Sequence, residues 1–257
     1  MRRYDQYVDS VAGGDPPAIA QGVITSGVQT LDRSIALLDT IAREGPCSLA
    51  DLVRDTALAR PTAHRLAVAL ERHGLVVRDR DGRFRLGARL VGWGAAAGDA
   101  LALVEPARAV LQRLSAETGE SVQLYVREGD QRVCIAIHER PTGLRDTVPL
   151  GAVMPLTKGS GGRVLLAWAD DRDRFDVAAG ALDAVRAAGW AATVGEREAG
   201  VASVSAPVRV GEQVIGAVSV SGPVARLGPD PGSRYAEAVC AAAAELARAR
   251  GRTVTSP

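Results

Sequence analysis

The order of apolar and polar positions divides the chain into a helical first third and a strand-rich remainder. Leu31, Ile35, Leu38 and Ile41 recur at helical spacing, predicting a first helix from about Thr30 with these residues inward and a stop at Gly45-Pro46. Ser48 with Asp51 three residues on reads as a capping box, and Leu49, Leu52 and Val53 mark the apolar face of a short second helix. A third helix begins near Pro61, whose missing N–H costs nothing in a first turn. Its buried stripe is Ala63, Leu66, Ala67 and Leu70. Leu75-Val76-Val77, a turn at Asp79-Arg80-Asp81-Gly82, then Phe84 and Leu86 predict a hairpin. Helix, turn, helix and hairpin together make a winged helix.

Further on, the stretch from Ala88 to about Asp99 suggests a connecting helix, although Gly92, Gly94 and Gly98 weaken it. Ala107, Val110, Leu111 and Leu114 predict a firmer helix over about 105–118. The period then drops to two: Val122, Leu124 and Val126 alternate with Ser121, Gln123 and Tyr125, and 133–137 is a buried-type strand. Helical blocks near 162–169 and 172–188 precede strands at 201–210 and 214–221, which form a hairpin around Gly211-Glu212. A last helix carries Tyr235, Val239, Ala242 and Leu246. Strands and helices in this order predict an antiparallel α+β sandwich. Residues 1–26, with Gly13-Gly14 and Pro16-Pro17 and no periodicity, read as a mobile arm, and 252–257 as a tail. At 257 residues the chain is long enough for two cores.

The net charge is only +1, so bulk electrostatics say nothing about nucleic acid. Between residues 60 and 89, however, eight arginines face three acids. Arg65 lies opposite the buried stripe of the third helix, flanked by Thr62 and His64, with Arg60 at the helix start and Arg80, Arg83 and Arg85 on the hairpin. Such a helix can enter a major groove while a basic wing meets phosphates. A solvated helix face would account for the arginines alone. The helix order and the attached hairpin favour DNA.

The remaining chemistry is mostly exclusion. No apolar run approaches the roughly 18 residues of a membrane span, and the N-terminus lacks a signal peptide's apolar core. Cys47, Cys134 and Cys240 match no metal or redox spacing and suit a reducing cytoplasm, while His64, His73 and His138 form no ligand cluster, so no metal is expected. Gly159–Gly162 after Lys158 evokes a phosphate loop but lacks the Gly-Lys-Ser/Thr of a Walker motif, and neither GxGxxG nor GxSxG occurs. Ser160 as nucleophile would have only His138 in its domain as base, so no catalytic residue and no cofactor is assigned. Thr157, Ser160, Ser203, Ser205, Ser219 and Ser221 are small polar residues in apolar company. With the loop amides they could hold a small anion at a pocket mouth, or merely occupy surface strand positions. Three function classes compete: a ligand-responsive DNA-binding regulator, an enzyme or small-molecule carrier using the N-terminal domain for protein interaction, and an architectural DNA-binding protein. The basic, correctly ordered winged helix discriminates, because an enzyme would not need it.

Several separate segments carry a resemblance. They are TLDRSIALLDTIA at 30–42, SLADLVRDTALARPTAHRLAVALERHGLV at 48–76, FRLGARLVGWG at 84–94, PLTKGSGGRVLLAW at 155–168, GEREAGVASVSAPV at 195–208 and VSVSGP at 218–223. In this order they make the chain resemble the IclR (isocitrate lyase regulator) family of transcription regulators. The resemblance implies a winged helix-turn-helix domain at 27–87 that also dimerises, a linker helix at 88–104, and a GAF-like antiparallel-sheet effector domain at 105–251. It implies homodimers or homotetramers on palindromic operators, acting as repressor or activator, with a small organic acid or aromatic metabolite as effector. Carried across, it puts Ser160, Gly161, Ser203, Ser219 and Ser221 at the effector pocket. Two positions depart from the pattern: Ala57 stands where the turn usually has glycine, and Pro61 replaces a small polar residue at the start of the recognition helix.

The shared pocket makes a geometric demand. A plain two-residue loop at Gly211-Glu212 would put Ser203 opposite Val220, with Ser219 and Ser221 on the other face. An odd loop or a bulge brings Ser203 opposite Ser219 or Ser221. The resemblance therefore predicts the second register, with the hydroxyls facing the 159–162 loop across a cavity large enough for a small carboxylate.

Overall fold

The structure, a computed structural model, describes residues 26–96 and 99–254. Most of the expected N-terminal arm and the end of the tail lie outside the described residues. The chain splits into two compact units, Met1–Gly87 and Ala88–Pro257.

The first unit contains α1 (Gln29–Glu44), α2 (Leu49–Thr56), α3 (Arg60–Arg72), β1 (Val76–Arg78) and β2 (Phe84–Leu86). The capping box starts α2: the Ser48 hydroxyl accepts from the Asp51 amide at 3.2 Å, and the Asp51 carboxylate accepts from the Ser48 amide at 2.9 Å. Hydrogen bonds from Ser48, its hydroxyl first, hold the Asp51 carboxyl down to about 2. Leu37, Ile41, Leu52, Ala63, Leu66, Leu70, Val76 and Phe84 fill the core. The α3 stripe is thus buried as its spacing predicts. The α1 face is not: Leu31 and Ile35 are 51% and 45% exposed. Burial begins at Leu37, so the helical period identifies an apolar stripe but not how far its covering elements reach. The segment before α2 also pairs with the wing, because Cys47 and Phe84 exchange backbone hydrogen bonds at 2.8 and 2.7 Å.

The second unit contains α4 (Arg89–Ala96), α5 (Asp99–Thr118), β3 (Ser121–Glu128), β4 (Gln131–His138), β5 (Val153–Pro155), α6 (Ser160–Ala167), α7 (Ala179–Ala188), β6 (Ala191–Val194), β7 (Val201–Val210), β8 (Gln213–Pro223), α8 (Val224–Leu227) and α9 (Pro231–Val254). Its six strands form one antiparallel sheet in the order β5-β4-β3-β8-β7-β6. The expected linker range of 88–104 covers α4 and the first turn of α5. Helix α5 starts at Asp99, and Leu103 is already buried in the core of this unit with Ala107, Val110 and Leu111. Pro106 sits inside α5 and removes one helical hydrogen bond. The apolar stripe continues on both sides of it.

Alternation gives the sheet two unlike faces. Val122, Leu124, Val204, Val208, Val218 and Val220 pack beneath Leu111, Leu114, Val239 and Leu246 of α5 and α9. The opposite face carries polar rows. Ser121, Ser221, Ser203 and Thr193 lie side by side across β3, β8, β7 and β6, and Gln123, Ser219 and Ser205 form the next row. One bulge sets these rows, and a second lies between β3 and β4. The β7–β8 hairpin starts on a two-residue loop, with Val210 opposite Gln213, but Val208 opposes Gly216, leaving Ile215 extra. Ser203 therefore faces Ser221, and Ser205 faces Ser219. On the other side Leu124 opposes Ala136 while Tyr125 opposes Cys134, leaving Ile135 extra.

Candidate functional site

In the first unit, the α3 stripe turns inward and leaves Arg60, Pro61, His64 and Arg65 exposed, with Thr62 half-buried. The helix starts without a side-chain cap at Ala59, and Pro61 occupies its first turn. Before it, Ala57 takes a left-handed conformation with φ 53°, the only non-glycine residue with positive φ among the described residues. In the wing, Asp79 closes the turn by accepting from the amides of Asp81 and Arg83 at 3.0 and 2.9 Å. Arg80 and Arg85 are exposed, while the Arg83 guanidinium donates to the Pro46 carbonyl at 3.3 Å. Arg78, by contrast, is engaged: it pairs with Glu71 at 3.2 Å and lies over the Phe84 ring. Arg60, Arg65, Arg80 and Arg85 have no acid partner among the described residues.

In the second unit, the start of α6 lies on the polar face of the sheet. The Ser160 hydroxyl is 2.7 Å from both the Ser203 and the Ser205 hydroxyls, and its amide donates to Thr193 Oγ1 at 3.1 Å. Thr193 and Ser203 are in turn 3.1 Å apart. The expected cavity between these hydroxyls and the loop is therefore corrected: Ser160 touches them directly. Ser221 belongs to a different bond, donating to Gln123 Oε1 at 3.0 Å, and Ser219 lies buried between Gln123 and Ser205 in its row. Gly161 packs so closely on the Tyr125 ring that a Cβ there would be 3.2 Å from it. A separate cleft of about 250 Å³ is lined by Thr157, Lys158, Arg163 and Glu196, and none of these serines lines it.

Three groups that the sequence pattern did not single out surround the loop. Arg132 is almost fully buried, and its guanidinium donates to the carbonyls of Pro155 and Lys158, the latter at 2.6 Å. It has no acid partner among the described residues, and burial lowers its pKa. A Cβ on Gly162 would overlap the Leu156 carbonyl and press on Arg132, so only glycine lets this turn close. Arg197 follows β6 and pairs with the buried carboxylate of Asp146, which lies between β4 and β5. The Tyr125 hydroxyl nearby is buried, and burial pushes its pKa upward. Burial also pushes the Cys134 thiol up to about 12, so it stays protonated at neutral pH. Four buried side-chain atoms lack a partner among the described residues: Gln123 Nε2, Arg132 Nε, Asp146 Oδ2 and Arg163 Nε.

Comparison with known proteins agrees with this two-part layout. The family model for the IclR helix-turn-helix domain matches residues 30–80, and that for the bacterial transcriptional regulator IclR C-terminal domain matches 95–180 and 176–248. The glycerol operon regulatory protein of Streptomyces coelicolor is 34% identical over 201 residues, covering 70% of this chain and 79% of its own. The transcriptional repressor IclR of Escherichia coli is 29% identical over 161 residues, covering 60% and 58%. These relatives are named as regulators of transcription, not as enzymes. Among solved structures, Thermotoga maritima IclR superposes with a TM-score of 0.64 at 22% identity, covering 87% of this chain and 99% of its own. An IclR homologue from Microbacterium hydrocarbonoxydans, complexed with 4-hydroxybenzoate, does so with the same score, identity and coverage. With both halves matched in order, the chain belongs to the IclR family of transcriptional regulators, a helix-turn-helix DNA-binding domain followed by an effector domain.

Proposed function

We propose that the chain binds a palindromic operator as a homodimer or homotetramer, and that a small organic acid in the second unit modulates this binding. The observation that carries the reading is the set Arg60, Arg65, Arg80 and Arg85, exposed and without acid partners on a helix and wing. Arg65, with Thr62 and His64 beside it, would read base edges, and the wing arginines would meet phosphates. One winged helix buries too little surface for a tight operator complex, so two copies on symmetric half-sites are expected. Exposed Val28 just before α1, Leu31 and Ile35 on α1, and Val91 and Trp93 on α4 offer apolar surface for the second copy.

An acid effector is supported by charge. Arg132 is a buried cation without an acid, and the first-turn amides of α6 beside it favour an anion. Ser219 and Ser221, together with Ser160, Gly161 and Ser203, would supply the surrounding polar contacts. The 4-hydroxybenzoate held by the Microbacterium relative is an acid of this kind. No described helix is long and apolar enough to cross a membrane, and a cytoplasmic location suits a protein that reads DNA. Thermal-shift screening of organic acids, followed by operator selection with the purified protein, tests the reading. A ligand at a hundred times its Kd adds about 2.7 kcal/mol to stability, which an ordinary melting scan resolves. At least one acid should raise Tm and alter operator binding. A selection that returns random sequence, or acids that leave Tm unmoved, would contradict it.

A further inference from the structure

Lysine is almost absent from this chain: thirty of its 31 basic side chains are arginine, and the one lysine is Lys158. An ammonium is a compact point charge on a flexible stem, where a guanidinium is a broad planar fork, so the exception is chemical as well as compositional. Lys158 is exposed and lines the cleft of about 250 Å³ that the effector serines do not reach. The charges of that cleft balance, with Lys158 and Arg163 as cations and Asp176 and Glu196 as acids. Arg163 and Glu196 pair with each other, and Glu196 also accepts from the Gly159 amide at 3.1 Å. Lys158 and Asp176 remain, and neither side chain makes a hydrogen bond or ion pair among the described residues. Val177 and Ala181, both half-buried, add an apolar wall.

A plain carboxylate entering this cleft would meet two acids, and a plain amine would meet two cations. A molecule that carries both charges can place each against its opposite. The cleft is smaller than the roughly 300–1,000 Å³ of pockets that hold drug-sized ligands, so the molecule is small. We infer that the cleft is a second ligand site, separate from the effector serines, for a small zwitterionic α-amino acid. Its carboxylate meets the Lys158 ammonium, its ammonium meets the Asp176 carboxylate, and its side chain lies against Val177 and Ala181. A ligand here touches the same loop that carries Ser160: the Lys158 carbonyl accepts from Arg132, the Gly159 amide donates to Glu196, and Ser160 begins α6.

The test measures the Kd of the full-length protein by calorimetry for three amino acids, each against its deaminated acid and its decarboxylated amine. The sets are alanine with propionate and ethylamine, valine with 3-methylbutanoate and 2-methylpropylamine, and leucine with 4-methylpentanoate and 3-methylbutylamine. At least one amino acid should bind about fivefold or more tightly than either counterpart, the size of one charge contact in a partly open cleft. Lys158→Met and Asp176→Asn should each weaken that amino acid about fivefold. Circular dichroism confirms that each variant is folded. Because the chain has one lysine, 13C-lysine labelling gives a single Cε signal, which should move as the amino acid is added. Binding of none of the three amino acids would overturn the inference, as would binding that survives both substitutions or leaves the lysine signal still. Plain acids that bind as well as their amino acids, undisturbed by Lys158→Met, would overturn it while supporting the organic-acid reading.

Discussion

On α3 and the wing, Arg60, Arg65, Arg80 and Arg85 stand in solvent with no acid beside them, whereas Ser160, Thr193, Ser203 and Ser205 are buried and already bonded to one another. The difference follows from solvation. An exposed guanidinium is satisfied by water until a phosphate or base displaces it, so a DNA-reading face can wait in its working geometry. A buried hydroxyl without a partner costs about 1–3 kcal/mol, so a buried site closes on itself, and the groups it fails to close, among them Gln123 Nε2 and Asp146 Oδ2, still ask for a partner. The first region is preformed. The second must accept a ligand against packing that is nearly complete.

Substitutions can break this contrast, and the largest effect is expected in the closed region. Gly162→Ala forces a methyl into the Leu156 carbonyl and should cost the effector unit about 3 kcal/mol, read as a lowered calorimetric transition. An unchanged transition would mean that the loop yields easily. On the open face, Arg65→Ala should remove roughly 1–3 kcal/mol of discrimination between operator and random DNA without lowering Tm, while Arg85→Ala weakens both alike and flattens the salt slope by about one. Ser160→Ala should cost about 1–2 kcal/mol, since two hydroxyls lose a shared partner. Ser48→Ala removes the α2 cap, worth about 1 kcal/mol. Because the Asp51 carboxyl is depressed in the folded state, the stabilisation it gives is present above its ordinary pKa and fades as pH falls toward about 2. The Ser48→Ala difference should therefore be measurable at pH 7 and shrink in acid. The smallest effect is a gain: Ala57→Gly relieves a left-handed alanine and should stabilise the first unit by roughly 0.5–1 kcal/mol in a denaturant melt.

What could be read along the sequence differs between the regions for the same reason. The proposed DNA-reading face rests on contiguous periodicity: Ala63, Leu66, Ala67 and Leu70 fix which side of α3 is buried, and the exposure of Arg65 follows by elimination. Where the partner surface ends is not local information, so Leu31 and Ile35 were expected inside and lie outside. The proposed effector site is assembled across strands. Its rows depend on the bulge at Ile215, which no composition signal marks, although the demand that Ser203 and Ser221 share a face pointed to a bulge. Thr193 sits on a four-residue edge strand too short to show alternation. Asp146 and Arg197 lie 51 residues apart in loops, where an ion pair leaves no periodic trace. Arg132 alternates with apolar residues as an exposed arginine would, and only the Pro155 and Lys158 carbonyls show that it is buried.

The central claim, that occupation of the buried site changes DNA reading on the open face, rests on one comparison. The Kd of the full-length protein for its selected operator should be measured at fixed salt, with and without a saturating acid that raises Tm. A coupling of ordinary size predicts a change of about fivefold or more, with binding to random duplex unaltered. An operator Kd that stays the same while the acid is bound would contradict the account.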